Sequence, residues 1–206
     1  MDESLDSVLE DNRGMGSNAA ESGLENIWIV ASQRGDSLAF NRLVLRWEKP
    51  IYNLTLRMLH DPDEAAEATQ EVFLSAFRNI RRFRQSSKFS TWLYRIAVNH
   101  CITRLRRKPP GILYSLDDRR PEALLAAGLP VRESHEADFL LEESRNKVRT
   151  ALEYLPPEQR AVVELKFYQD LTFEEIASVV QAPLSTIKSR LYAGLEVLKV
   201  RLGGLF

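Results

Sequence analysis

The stretch LTFEEIASVVQAPLSTIKSRLYAGLEVLKVRL, Leu171 to Leu202, contains two helical patterns separated by a short break. Thr172 followed three positions later by Glu175 is a capping box, in which each side chain satisfies the other's backbone amide. Ile176, Ala177 and Val180 then share one face of a short helix. Gln181 to Pro183 reads as a turn, after which Ser185 and Thr186 are expected to cap a longer helix with Ile187, Leu191, Leu195 and Leu198 inward. A short helix bearing a small residue, a tight turn and a longer helix make a helix-turn-helix, whose second helix offers its first residues to the major groove. Those residues are Ser185, Thr186, Lys188, Ser189, Arg190 and Tyr192: short donors, two cations and an aromatic, all off the apolar stripe. That chemistry favours DNA over a plain αα-hairpin with a solvated face.

Upstream lies a segment of different character. SKFSTWLYRIAVNHCITRLRRKPP, Ser87 to Pro110, holds no acidic residue. Phe89, Leu93, Ile96, Ala97 and Cys101 form an apolar stripe, so a helix is expected from about Ser90 to Arg107, stopped by Pro109 and Pro110. Thr91, Tyr94, Arg95, Val98, Asn99, Ile102, Thr103 and Arg106 fall largely outside the stripe. Aromatics stack on unpaired bases, amides pair with base edges and guanidinium groups neutralise phosphates. With the basic loop RRFRQSSK leading into it, this face therefore suits single-stranded nucleic acid. Trp92 borders the stripe and is open to either core packing or base stacking.

The formal net charge of −1 conceals a segregation of signs. Residues 78–108 carry ten cationic side chains and no acid, whereas 61–77 carry five acids and no cation. Solvated helix faces usually mix signs, so two single-sign blocks in succession point to two surfaces for two partners. In HDPDE, Asp61 is a cap, Pro62 the first helical residue, and Asp63 and Glu64 the acids of the first turn. The helix that follows carries Ala65, Ala68, Val72, Phe73, Ala76, Phe77 and Ile80 at helical spacing. Before it, Phe40, Leu43, Val44 and Trp47 form one helical set, and Ile51, Leu54, Thr55 and Met58 another that Pro50 is expected to open.

These patterns predict an all-α chain of two small helical domains joined by a flexible linker. Residues 1–22 read as a disordered acidic tail, 23–108 as the first domain, 109–139 as the linker with turn signals at Pro121, Gly128 and Pro130, and 140–206 as the second domain. No stretch approaches a membrane span and the acidic N-terminus is unlike a secretory signal, so a cytoplasmic location is expected. A lone cysteine, Cys101, and three scattered histidines make no metal site, and no cofactor or small-molecule substrate is expected. A receiver domain with a helix-turn-helix output would need alternating strands, which are missing. A carboxylate metal enzyme built on Asp63, Glu64, Glu67 and Glu71 would need Glu-x-x-His pairs, which are missing too.

Two blocks in order carry a specific resemblance. DPDEAAEATQEVFLSAFRNIRRFRQSSKFSTWLYRIAVNHCITRLRR resembles region 2 of the extracytoplasmic-function class of bacterial sigma factors, and LEYLPPEQRAVVELKFYQDLTFEEIASVVQAPLSTIKSRLYAGLEVLK resembles region 4. The resemblance spans about residues 24–108 and 140–202, without the region 3 of larger sigma factors. It implies that Asp63, Glu64, Glu67, Gln70, Glu71, Phe73, Leu74 and Phe77 dock on the clamp coiled coil of core RNA polymerase. It implies that Arg84, Gln85, Ser86, Ser87, Lys88, Ser90, Trp92, Arg95, Asn99, Thr103, Arg104, Arg106 and Arg107 capture the melted minus-10 strand. Thr172, Ser185, Thr186, Lys188, Ser189, Arg190 and Tyr192 would meet the minus-35 duplex. The linker, acidic at Asp117 and Asp118, would pass through the polymerase. Family members are commonly held by an anti-sigma factor, often membrane-bound, so such a partner is implied as well. One departure stands out: where many members continue with arginines, this chain has Ala193, Gly194 and Leu195, which is expected to weaken minus-35 binding.

Overall fold

A computed structural model of the chain describes residues 23–107 and 146–203. The expectations placed on the tail, the linker, Lys108 and the last three residues lie outside this range. Eight α-helices occur among the described residues, and no strand. The first unit holds α1 (23–33), α2 (Ser37–Leu59), α3 (Pro62–Asn79), a 3-10 turn at Ile80–Arg82, and α4 (Phe89–Arg107). The second holds α5 (146–153), α6 (Pro157–Phe167), α7 (Phe173–Val180) and α8 (Leu184–Leu202).

Local chemistry sets most of the boundaries. The Asp36 carboxylate accepts from the amides of Leu38 and Ala39 and starts α2; Asp61 does the same for Asp63 and Glu64 at the start of α3. His60, in the left-handed region with φ 59°, ends α2 by returning its amide to the Leu56 carbonyl. The expected break at Pro50 does not occur, because α2 runs through it. Proline inside a helix costs about 3 kcal/mol, whereas burying Ile51, Leu54 and Met58, all fully covered, gains about 1.5–3 kcal/mol each. Continuity of the buried stripe from Phe40 to Met58 outweighs the lost hydrogen bond.

Small residues on α3 let it approach α2 closely: Ala65, Ala68 and Ala76 have no exposed surface. Between these helices the Thr69 hydroxyl donates to the Ala65 carbonyl at 2.7 Å and accepts from the Thr55 hydroxyl at 3.0 Å, so the buried polar atoms are satisfied. α4 completes the bundle with Leu93, Ala97 and Cys101, whose thiol burial pushes up to about 12.

In the second unit the Thr172–Glu175 capping box forms as expected, with reciprocal bonds of 3.0 and 3.2 Å. The expected capping of α8 by Ser185 and Thr186 does not form. Pro183, extended with ψ 150°, is the residue before the helix, no side chain caps it, and Ser185 and Thr186 fall inside its first turn. Ile176, Val179, Ile187 and Leu198 close the core around α6. Gly194 is buried here, and a Cβ on it would lie 3.3 Å from Val163 Cγ2 and 3.7 Å from Leu155 Cδ1. α8 approaches α6 closely here, and a Cβ would fit only if the Val163 side chain gave way by a few tenths of an ångström.

The two units pack on each other, α4 against α7 and α2 against α6. Arg160 of α6 is 2% exposed and donates to the Met58 carbonyl of α2 at 2.6 Å, as well as to the Glu153 and Leu155 carbonyls. This packing corrects the reading of α4: Thr91, Tyr94 and Val98, expected outside its stripe, are buried. The sequence pattern defines one buried stripe, and tertiary contacts with both α2 and the second unit widen it.

Candidate nucleic-acid and protein interfaces

The acidic helix α3 presents two faces rather than one. Gln70, Phe73, Leu74 and Phe77 border a groove completed by Phe40, Val44 and Glu48 of α2. Leu74 and Phe77 are about half exposed (54% and 51%), although the Phe77 ring meets Phe40 edge-on at 5.0 Å. Leu38 and Leu45 on α2 are more exposed still, at 71% and 76%. An apolar groove edged by polar groups suits an amphipathic protein element. Asp63 is exposed and Glu64 half-buried at the start of the helix.

Glu67 and Glu71 turn the other way, toward α4, where Arg104 lies 3.3 Å from Glu67 and 2.9 Å from Glu71. His100 Nδ1 is 3.3 Å from Glu71. The hydrogen bond from Arg104 holds the Glu71 carboxyl below its ordinary range. Helical spacing explains the division: 70, 73 and 77 lie on one side, 67 and 71 on the other, and Leu74 stands on the ridge between them and lines both grooves. The contribution of α2 to the apolar groove was missed from sequence. Phe40 and Val44, which line it, were read only as members of a helical core set.

The basic element begins in the loop before α4. Gln33 of α1 pins the start of that loop by donating to the Ile80 and Phe83 carbonyls at 3.2 and 2.7 Å. Arg84, Gln85, Ser86 and Lys88 are exposed, with Gln85 in the left-handed region at φ 52°, and Ser87 and Ser90 are half-buried. Trp92 is half-buried against Phe83 and Phe89, with ring centroids 5.1 and 5.5 Å away. It is thus held by the core while keeping an open edge. Further along, Asn99 and Thr103 are exposed and, with Arg104 and Arg107, line a groove shared with Arg78 and Asn79 of α3.

Several of the basic side chains are already engaged. Lys88 Nζ lies 2.9 Å from Glu175 Oε1 at the start of α7. Arg95 donates to the carbonyl and hydroxyl of Ser178 on α7 at 2.7 and 3.1 Å. Arg106 donates through Nε to Glu158 of α6 at 3.1 Å. Tyr94 donates to Gln169 Oε1 at 2.7 Å, and burial pushes its phenol up to about 12.

Beneath these contacts sits an ion pair that sequence reasoning missed. Arg57 of α2 donates from Nε to both carboxylate oxygens of Glu164 at 2.8 and 2.9 Å, and stacks over Tyr168 with 4.5 Å to the ring centroid. Burial raises the Glu164 carboxyl to about 6, with Arg57 and the Gln169 amide pulling the other way. The available signal was a charge inside an apolar run, Ala161–Val162–Val163–Glu164–Leu165, which requires a partner.

On α8 the expected duplex-facing residues are open to solvent. Ser185, Lys188, Ser189 and Tyr192 are exposed, Thr186 and Arg190 half-buried, and Thr172 is exposed at the α7 cap. Of the three departing residues, Ala193 is exposed, Gly194 faces the core and Leu195 is half-buried. Only Ala193 therefore stands where an arginine side chain could reach a phosphate without disturbing the packing. Among the described residues no group of His, Cys, Asp and Glu could hold a metal, and no helix is long and apolar enough to cross a membrane.

Comparison with known proteins agrees with this arrangement. Residues 43–109 match the family described as Sigma-70 region 2, and residues 145–198 the family described as Sigma-70, region 4. The RNA polymerase sigma-H factor of Pseudomonas aeruginosa is 37% identical over 170 residues, which is 81% of this chain and 87% of that protein. The ECF RNA polymerase sigma factor SigW of Bacillus subtilis is 36% identical over 184 residues, 86% of this chain and 96% of that protein. Among solved structures, CnrH in complex with the cytosolic domain of CnrY aligns with a TM-score of 0.63 at 19% identity, covering 88% of this chain and 98% of that one. The sigma factor RpoE of Bartonella quintana, in complex with the anti-sigma factor NepR, aligns with a TM-score of 0.59 at 19% identity, covering 80% and 96%. The two helical units, in this order and with these relatives, make the chain a member of the extracytoplasmic-function class of RNA polymerase sigma factors.

Proposed function

We propose a division of labour for this transcription initiation factor across three surfaces. The apolar groove between α2 and α3, with Asp63, Glu64, Gln70, Phe73, Leu74 and Phe77, docks core RNA polymerase. The loop from Arg84 to Lys88 and the outward part of α4 capture the unpaired minus-10 strand. The first turns of α8 read the minus-35 duplex. Residues 23–108 form the polymerase-binding and melting domain, 109–139 the connection, and 140–206 the duplex-reading domain. The chain is not itself a catalyst: binding energy, distributed over the three surfaces, holds the promoter open. It works in the cytoplasm and reaches the membrane only through a partner.

The observation that carries this reading is the coexistence of three chemically distinct surfaces on a chain matched by both sigma regions. One is apolar and open, one basic with an anchored aromatic, and one polar at a helix start. A helix-turn-helix regulator of another kind would account for α7 and α8 alone. An anti-sigma partner follows from kinship, since CnrH and the Bartonella RpoE were each solved in a complex, the latter with a named anti-sigma factor. Runoff transcription with core polymerase and a library of promoter fragments tests the whole: specific initiation dependent on the chain is expected. No specific initiation, together with no complex with core on a native gel, would sink the proposal.

A further inference from the structure

The loop before α4 is thinly supported along its length: Arg84, Gln85, Ser86 and Lys88 are exposed, and Gln85 is in the left-handed region. Its start, by contrast, is tied to a rigid bracket. α1 ends in a Schellman arrangement, in which the Asp36 amide donates to the Ala31 carbonyl at 3.1 Å and the Gly35 amide to the Ser32 carbonyl at 3.0 Å, with Gly35 at φ 100°. Asp36 then caps α2 with its carboxylate, so the turn is held from both sides. Gln33 stands in the last turn of α1, and its amide nitrogen reaches both ends of the 3-10 turn: the Ile80 carbonyl at 3.2 Å and the Phe83 carbonyl at 2.7 Å. A side-chain amide has two N–H donors, one for each carbonyl. Phe83 also returns its own amide to the Ile80 carbonyl at 3.1 Å and is extended at ψ 115°, so the helical course ends there. A Cβ on Gly35 would lie 3.5 Å from Arg81 Nη2, which makes a second meeting point between α1 and the 3-10 turn. Phe83 itself is 6% exposed, and its ring lies 5.1 Å from that of Trp92.

We propose that Gln33 is a positioning residue for strand capture: by clamping the Ile80–Phe83 turn to the end of α1, it pre-forms the loop from Arg84 to Lys88 and seats the ring against which Trp92 rests. The inference rests on the minus-10 reading of the loop and α4, and gives α1 a part in it. Gln33 acts through the loop and not on the strand, because both of its N–H donors are taken by backbone carbonyls. A loop released from its bracket samples other paths, and only the fraction in the capturing conformation takes up a strand at each encounter. Loss of the clamp therefore slows association and leaves dissociation, which depends on contacts already made, unchanged. A residue that binds the strand behaves in the opposite way: its removal speeds dissociation and, where it is a cation, flattens the salt dependence.

The test uses the full chain assembled with core RNA polymerase, and a fluorescently labelled single-stranded oligodeoxynucleotide selected by that complex from a random pool. Gln33→Met keeps the length of the side chain and removes both donors. Stopped-flow anisotropy should show association about tenfold slower than wild type, dissociation within about twofold, and an unchanged slope of log affinity against log salt. Arg84→Ala is the contrast: faster dissociation, and a slope smaller by about 0.7 for one lost phosphate contact. Amide hydrogen exchange of the unbound full chain is a second readout that needs no strand. Residues 84–88 should exchange faster in Gln33→Met, while the amides of α2 and α3 exchange as in wild type. Faster exchange throughout the first unit would make Gln33 a general stability residue and overturn the proposal. Wild-type association, or a loss confined to dissociation, overturns it as well, and the strand surface stands where Arg84→Ala weakens binding. If no strand is selected over core polymerase alone, or if Arg84→Ala and Trp92→Ala both leave binding unchanged, the strand surface and the positioning role fall together.

Discussion

At the scale of single residues, exposure and partners decide which side chains can serve DNA. Asn99 is exposed in the groove shared with α3, beside Thr103 and Arg107. Its replacement by alanine should lower open-complex yield by about tenfold, the loss of a well-made polar contact, while leaving core binding intact; permanganate reactivity and a native gel read the two separately. Gly194 makes an opposite case. On helix propensity alone, Gly194→Ala should stabilise by about 1 kcal/mol. Because its Cβ would come within 3.3 Å of Val163 Cγ2, the substitution is expected instead to lower the melting temperature of the second unit, overpacking costing about 1–3 kcal/mol. The sequence departure at Ala193–Gly194–Leu195 was legible as a departure, but its cause was not. A tight approach between α6 and α8 joins residues more than thirty positions apart, and no local pattern encodes that.

At the scale of elements, capping, periodicity and charge blocks translated well. The Thr172–Glu175 box, the Asp61–Pro62 start of α3, and the extent of α4 were all readable because each depends on neighbours within a turn. Thr172→Ala should cost about 1 kcal/mol of stability, measured as a lower denaturation midpoint with unchanged slope. Pro50 misled because its local preference is for a helix start, whereas burial of Ile51, Leu54 and Met58 keeps α2 continuous. The α3 face was likewise read as one acidic surface, and is divided in the structure by Arg104, which draws Glu67 and Glu71 toward α4. The groove between α2 and α3 is the better docking candidate. Leu74→Ala with Phe77→Ala should weaken core binding by about ten- to a hundredfold, as expected for apolar anchors, and leave the circular dichroism spectrum unchanged because both residues are half exposed.

At the scale of the whole molecule, the packing of one unit on the other was invisible in sequence: it depends on isolated polar residues, Arg57, Tyr94, Arg95, Arg160, Glu164 and Gln169, meeting across the linker. Glu164 gives this junction a pH dependence. Arg57 from α2, the Gln169 amide, Tyr94 of α4 and Tyr168 surround the carboxyl, and burial raises it to about 6 from an ordinary 4.5. A raised carboxyl binds its proton more tightly in the packed state. Its favourable contribution is therefore complete below about 4.5 and is lost as pH rises through about 6. The distance between dyes placed at Lys49→Cys and Lys199→Cys, exposed positions on the two units, should accordingly increase between pH 5 and 7. Glu164→Gln, which should flatten the response with the two units packed, isolates the carboxyl.

The proposed function assigns the holding open of a promoter to α4 and the loop before it. Permanganate footprinting of unpaired thymines, on a promoter selected by runoff transcription, measures that act directly. Reactivity confined to the minus-10 region, present only when core polymerase and the chain are both added and strongly reduced by Asn99→Ala, is the predicted result. A promoter that remains closed while transcript is made, or one that opens equally well with core polymerase alone, would contradict it.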